Sequence, residues 1–162
     1  MSLPFDCYSF PSMLRWLRYG RGNARRILFA AKTGNQSTVN RSIPGIRATR
    51  LSATYDGPFE PTYIDVVYHG TCLVRMRPDG SRVLYYGVGS NTDKTRYALF
   101  APVRASYTSS PRKSAIGGLV IWDTANEPRN FPYVGQDGYH SRYAPLDLLP
   151  TGRFLPSTLR SF

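Results

Sequence analysis

The chain has 162 residues, of which 41% are hydrophobic, and its formal net charge is +11. This length fits one domain with a hydrophobic core of its own. No apolar run is long enough for a transmembrane helix and no secretory h-region follows Met1, so we expect neither a membrane-spanning nor a secreted protein. The expected location is intracellular, in a host cytoplasm or a virion. The Arg-rich and acid-poor N-terminus would also fit a mitochondrial presequence.

The positive charge is concentrated in the first 50 residues, which hold nine of the 21 basic residues and a single acid, Asp6. Eighteen of the 21 are arginines. Guanidinium groups bind phosphate oxygens in a bidentate manner and stack on bases, so this bias is typical of nucleic-acid binding. A GC-rich coding sequence would produce the same bias without any function, and that alternative stays open.

The first 50 residues are predicted to form a basic arm, part helical and part extended. Pro11 suits the first turn of a helix that runs to Tyr19, with Met13, Leu14 and Leu17 on one face. Trp16 on this helix either packs in the core or stacks on a base.

A second helix is predicted over Ala24–Lys32, and Gly34–Arg50 is predicted to be an extended arm or a loop with a short edge strand. Arg25 and Arg26 open the second helix, where positive charge opposes the helix dipole unless an anion binds there; a solvated basic face is the alternative. The residues predicted to contact phosphates are Arg15, Arg18, Arg21, Arg25, Arg26, Lys32, Arg41, Arg47 and Arg50.

The centre of the chain carries the clearest strand signals. Strands are predicted at Leu51–Tyr55, Tyr63–Tyr68, Thr71–Arg77 and Val83–Tyr86, the last two joined by the turn Arg77-Pro78-Asp79-Gly80. Tyr85 and Arg75 would offer stacking and charge together if they shared an exposed face, as in proteins that bind single-stranded nucleic acid. If Tyr85 faces inward, it belongs to the core.

Past the hairpin, Asn91 or Thr92 is predicted to cap a helix that ends at Phe100. Gly87-Val88-Gly89, between the hairpin and this helix, is predicted to be either an anion-binding turn or a plain exit from a strand. The glycine spacing of a dinucleotide-binding loop and the Gly-Lys-Ser/Thr ending of a phosphate-binding loop are missing. Phe100–Tyr107 is predicted to be a strand interrupted by Pro102, and Gly117–Trp122 a fully buried strand.

The sequence thus predicts a β-rich α+β fold. Its antiparallel meander or hairpin sheet spans about residues 51–122, preceded by one or two short helices and followed by an irregular Pro- and Tyr-rich C-terminal segment. Within a single domain we expect three parts, a basic arm over 1–50, a sheet core over 51–125 and a segment over 126–162 that wraps along a surface. Its apolar residues are too many for a disordered tail.

One stretch resembles a group of small phage-encoded proteins that has no assigned activity. The resemblance rests on His69-Gly70-Thr71, Val74, Asp79-Gly80 and the basic stretch Thr92–Arg96, and it covers under a quarter of the chain, about residues 63–99. The glycine-containing segment departs from the pattern because no aromatic residue follows Gly89. The resemblance implies a viral origin and transfers no catalytic residue.

No set of residues in the sequence forms a recognisable catalytic or metal site. His69 has Asp65 four residues before it and Asp79 across the hairpin, which would suit a general base, but a histidine at a strand end is more often structural. Cys7, Cys72, His69 and His140 would hold zinc only if all four converged. We therefore expect a non-enzymatic protein that uses no cofactor, metal or small-molecule substrate.

The function predicted from these observations is nucleic-acid binding in a viral or other large nucleoprotein assembly. The N-terminal arginines would contact the backbone of RNA or DNA, Trp16 and Tyr85 are the candidates for stacking, and further protein partners or self-assembly are expected. The alternative is a protein-interaction module, such as a phage-encoded inhibitor or a capsid or tail component. Its aromatic C-terminal segment would then bind an acidic protein.

Overall fold

A computed structural model describes residues 3–19, 32–57, 59–85, 87, 91–107, 118–132 and 145–156. The chain divides into two compact units, Met1–Gly80 (unit 1) and Ser81–Phe162 (unit 2). The three-part organisation predicted from charge and composition stays a prediction.

The described residues form two helices and nine strands. In chain order they are α1 (Phe10–Arg18), β1 (Ser37–Ser42), β2 (Thr49–Tyr55), β3 (Tyr63–Tyr68), β4 (Thr71–Met76), β5 (Arg82–Leu84), α2 (Asn91–Phe100), β6 (Arg104–Tyr107), β7 (Gly118–Trp122), β8 (Pro128–Pro132) and β9 (Leu146–Leu148). In unit 1 the strands have the order β1-β2-β3-β4; in unit 2, β5 pairs with β9, and a three-stranded sheet has the order β6-β7-β8. The predicted β-rich α+β class is confirmed.

Unit 1 is built on the antiparallel strands β1 to β4, with α1 packed against β1 and β2. Side chains along these strands alternate between the two faces of the sheet. Val39 pairs with Ala53, and Ala53 pairs with Ile64, so these three side chains lie on one face, and all three are buried. The opposite face of β1 exposes Thr38, Asn40 and Ser42. The edge strand predicted within residues 34–50 is therefore present as β1.

Two glycines of unit 1, Gly70 and Gly80, lie in turns where the backbone has a positive φ. His69 and Gly70 join β3 to β4 with φ of 48° and 80°, and two consecutive positive φ angles are the pattern of a type I′ hairpin. Gly80 has φ 89° and its N–H donates to the Arg77 carbonyl over 2.9 Å, as predicted for a bulged turn. The His-Gly pair is thus accounted for by turn geometry.

Two strands of unit 2 differ from their predictions, one in where it begins and one in how far it is buried. Phe100 is the last residue of α2 and is fully buried, so the strand that was expected from Phe100 begins only at Arg104. The strand Gly118–Trp122 is not buried throughout: Leu119 and Ile121 are fully buried, while Val120 and Trp122 are half-buried. β7 lies between the antiparallel strands β6 and β8, and such a sheet commonly buries only one face.

The C-terminal segment carries more regular structure than its proline and glycine content indicates. β8 pairs with β7 and β9 with β5, and Leu148 makes a further bridge to Phe154. Leu146, Leu148 and Phe154 are 0%, 1% and 4% exposed. The described part of this segment therefore contributes to the core of unit 2.

Asp123, at the end of β7, holds the chain around it in place. Its side chain is fully buried; one carboxylate oxygen accepts N–H bonds from Ala125 and Glu127, and the other accepts from Phe154 and the Arg153 guanidinium, all within 3.1 Å. Burial alone would raise the pKa of Asp123, but the donors from Phe154, Glu127, Arg153 and Ala125 together lower it. This carboxylate joins the β7–β8 turn to the C-terminal segment.

Candidate nucleic-acid interface

Helix α1 places two of the predicted phosphate-binding arginines on a common exposed side. Ser9 is its N-cap and accepts the Ser12 N–H over 3.2 Å, and Pro11 lies in the first turn, where its missing N–H costs nothing. Met13, Leu14 and Leu17 face inward, as predicted from their spacing. Because that stripe is anchored in the core, Arg15 and Arg18 are exposed one helical turn apart.

A loop between β2 and β3 approaches the last turn of α1. The Arg18 guanidinium donates to the carbonyl oxygen of Phe59. The ring of Phe59 is 76% exposed, and that of Tyr19, the C-cap of α1, is 79% exposed. Two large aromatic side chains therefore stand in solvent, one at the C-terminal end of α1 and one in the loop that Arg18 contacts.

The surface between the helix and this loop is concave. The cleft has a volume of about 500 Å³ and an apolar floor, and Glu60 supplies its only carboxylate among the residues that line it. The lining residues are Phe10, Pro11, Leu14, Arg15, Arg18, Tyr19 and Glu60. This combination of an apolar floor, guanidinium groups and an exposed ring suits a planar ligand attached to negative charge.

Sequence reasoning found Arg15 and Arg18 but missed the aromatic residues and Glu60. A signal was available, because Phe59 follows Gly57-Pro58, a dipeptide typical of turns, where a large apolar residue has no core to join. Tyr19 was assigned only to the end of the helix. The contact between this loop and α1 depends on tertiary folding, so neither the sequence of the loop nor that of the helix predicts it alone.

Trp16 packs in the core, which is one of the two alternatives predicted for it. It is 8% exposed, its ring centroid lies 4.9 Å from that of Phe5, and the Arg41 guanidinium lies 4.1 Å from its centroid. Arg41 also donates to the Trp16 carbonyl over 2.6 Å. Arg41 is therefore engaged within unit 1, and a role in phosphate binding has no support in its contacts.

The remaining predicted basic contacts are scattered. Lys32, Arg47 and Arg50 are exposed. Arg50 pairs with Ser42 and Arg41 with Leu51 in the β1–β2 register, so Arg41 and Arg50 point to opposite faces of the sheet and do not form a row. Arg21, Arg25 and Arg26, like most of the predicted second helix, lie outside the described residues.

Arg75 and Tyr85, which would offer charge and stacking together on a shared face, lie in unit 1 and unit 2 respectively. Arg75 is bound to both carboxylate oxygens of Asp65, at 2.8 and 3.1 Å, and lies 3.7 Å from the centroid of Tyr63. Tyr85 is half-buried, and its carbonyl accepts a hydrogen bond from the Tyr97 hydroxyl. Stacking by Tyr85 stays a prediction.

His69 and Asp65, two of the residues weighed for catalysis, each contact a different neighbour. His69 is exposed in its turn with its ring 4.4 Å from that of Tyr68, while Asp65 is held by Arg75. His140 and the Gly87-Val88-Gly89 turn beyond Gly87 lie outside the described residues. Within the described ranges, no three His, Cys, Asp or Glu side chains are arranged to hold a metal ion.

Both cysteines are free thiols with raised pKa values. Burial, with help from the Asp65 charge, raises the pKa of Cys72 to about 12. Burial, followed by the charge of Asp6, also raises the pKa of Cys7. A thiol in such surroundings stays protonated near neutral pH, and the thiolate is the reactive form.

In the part of the chain that the structure describes, no helix combines the length and apolarity that crossing a membrane requires. No family model, no curated protein and no solved structure matches the chain. The arrangement around α1 is therefore interpreted from its own chemistry.

Proposed function

We propose that this protein is a non-enzymatic nucleic-acid-binding protein that serves as a structural or accessory part of a viral or other large nucleoprotein assembly. The observation that carries the proposal is the pair Arg15 and Arg18, exposed one turn apart on α1 beside the exposed rings of Tyr19 and Phe59. The arginine bias and the charge of the first 50 residues support it. The viral setting rests on the resemblance of residues 63–99 alone.

Binding through these arginines is expected to be largely independent of sequence. Phosphates attract guanidinium groups whatever base they carry, and each phosphate that is neutralised releases condensed counterions. The affinity should therefore fall steeply as salt rises. Arg41 is not counted among these contacts because Trp16 already holds it.

The test compares the wild-type chain with the double variant Arg15→Gln, Arg18→Gln. Fluorescence anisotropy of a labelled random oligonucleotide is measured over a series of salt concentrations, after a high-salt wash has lowered the 260/280 absorbance ratio of the purified protein. Each arginine removed should lower the slope of log affinity against log salt by about one, and the affinity at low salt should fall.

The control is Arg77→Gln, which removes one positive charge from another exposed residue of unit 1, in the turn after β4, and it is compared with Arg15→Gln and Arg18→Gln made singly. It should lower the salt slope less than either α1 substitution does. An affinity that does not change with salt, or a double variant that behaves like the Arg77→Gln variant, would contradict the proposal.

A further inference from the structure

We propose that the cleft beside α1 holds one unpaired base, so that the protein binds single-stranded nucleic acid in preference to duplex. This inference rests on the proposed function and adds the class of nucleic acid. Its basis is that the exposed ring of Tyr19, an apolar floor, two guanidinium groups and one carboxylate line the same cleft, with the exposed Phe59 next to Glu60 at its border.

The rings of Tyr19 and Phe59 are exposed to an extent that packing within the described structure does not explain. Tyr19 is 79% exposed and Phe59 is 76% exposed. Trp16, an aromatic residue of α1 that does not line the cleft, is 8% exposed. The bond from the Arg18 guanidinium to the Phe59 carbonyl ties the loop to the last turn of the helix. Exposed rings on a tethered support are the platforms on which unstacked bases lie.

The charges around the cleft favour a neutral ring inside it and phosphates outside it. Glu60 lines the cleft and would repel a phosphate group placed there, whereas a base carries no charge and has amino or imino groups that donate to carboxylates. Arg15 and Arg18 line the same cleft and are exposed, so they can bind the phosphates on either side of the inserted base.

The volume of the cleft, about 500 Å³, lies within the range of about 300–1,000 Å³ that is usual for small-ligand sites. Phe10 and Leu14 supply its apolar floor. In a duplex every base is stacked and paired, and extracting one costs a few kcal/mol by general estimates. A single strand avoids that cost, which is the physical source of the preference.

The experiment uses the full chain with three labelled probes: oligothymidylate, a matched duplex, and an abasic oligomer with the same number of phosphates. Wild-type protein should bind oligothymidylate more tightly than either other probe at equal salt. The Tyr19→Ala, Phe59→Ala variant should lose about 5- to 100-fold in affinity for oligothymidylate and change little towards the duplex and the abasic oligomer.

Tyr8→Ala is the matched control, because Tyr8 is an aromatic residue of unit 1, 47% exposed, that neither lines the cleft nor, unlike Phe59, adjoins a residue that does. It should leave all three affinities unchanged. Circular dichroism of each variant checks folding, which substitution at such exposed positions should preserve.

The outcomes separate this inference from the proposed function. Equal binding of all three probes that weakens with salt and ignores Tyr19→Ala, Phe59→Ala would overturn the inference alone. Failure of every probe to bind would overturn both. A copolymer of Glu and Tyr serves as a fourth probe. If it binds the wild type but not the Tyr19→Ala, Phe59→Ala variant, and oligothymidylate does not bind, the cleft takes an acidic peptide and the inference is wrong.

Discussion

Arg41 illustrates how an arginine in a basic segment can be structural. Its guanidinium lies over Trp16 and donates to the carbonyl oxygen of the same residue, within the last turns of α1. A cation at that end also interacts favourably with the helix dipole. Arg15 and Arg18, by contrast, have exposed side chains that border the cleft beside the buried stripe. The same residue type thus serves two purposes within one segment.

Replacing Arg41 by Ala should therefore destabilise unit 1 without weakening nucleic-acid binding. Losing a hydrogen bond from a charged donor and a cation–π contact should cost about 1–3 kcal/mol in the free energy of unfolding. Urea denaturation measures this cost, and Arg41→Lys should recover only part of it, because an ammonium group lacks the planar fork. A folded Arg41→Ala chain with unchanged stability and a reduced salt slope would assign Arg41 to phosphate binding instead.

At the scale of elements, the Asp123 carboxylate makes the stability of unit 2 depend on pH. Its folded-state pKa is lowered, so the stability that it contributes is present above the ordinary Asp pKa of about 3.9 and is lost as pH falls through the lower folded value. Asp123→Asn replaces an acceptor oxygen by an amide donor that faces the Phe154 N–H and Arg153. We expect a loss of about 2–4 kcal/mol at neutral pH.

Urea midpoints measured from neutral pH down to about pH 3 test this expectation. The variant should show a shallower loss of stability than the wild type in the acid range, since the carboxylate that titrates there is gone. Asp56→Asn is the control: the pKa of Asp56 is lowered by hydrogen bonds from Thr62 and Gln36, but the carboxylate lies at the surface. An Asp123→Asn curve parallel to the wild type would contradict the role assigned to this carboxylate.

Elements defined by local patterns were predictable from the sequence. The alternation in Thr71–Arg77 and the apolar spacing of α1 gave those elements their type and nearly their bounds. β8 and β9 were missed because Pro128, Pro132 and Pro145 resemble loop signals. β8 pairs along the whole of β7, and β9 is held by three pairs with β5. Such pairing joins residues distant in sequence, so short-range periodicity does not report it.

The candidate site was half predictable for the same reason. Arg15 and Arg18 follow from the helical period, since positions between buried residues must face outward. Phe59 and Glu60 reach α1 only through the folding of the loop between β2 and β3. Asp123 comes directly after a predicted strand, and its four hydrogen-bond donors come from two segments about thirty residues apart.

At the scale of the whole molecule, charge and core are distributed differently along the chain. The first 50 residues carry most of the net positive charge, whereas the C-terminal segment supplies Leu146, Leu148 and Phe154 to the core of unit 2. The protein-interaction alternative assigns that same segment to a partner. Those three side chains are already buried, whereas Leu149, in the described part of the segment, is 37% exposed and available for a partner.

Deleting Ala144–Phe162 should therefore unfold unit 2 and not merely remove a binding surface. Each of the three buried side chains contributes about 1.5–3 kcal/mol, and their sum is comparable with the about 5–15 kcal/mol that stabilises a typical domain. Hydrogen exchange should show lost protection in β6, β7 and β8, while a control chain that ends at Pro156 keeps it. Persistent protection after the full deletion would mean that the segment is dispensable for folding. In that case loss of a partner would be evidence for the protein-interaction alternative, which Leu149→Ser tests without disturbing the core.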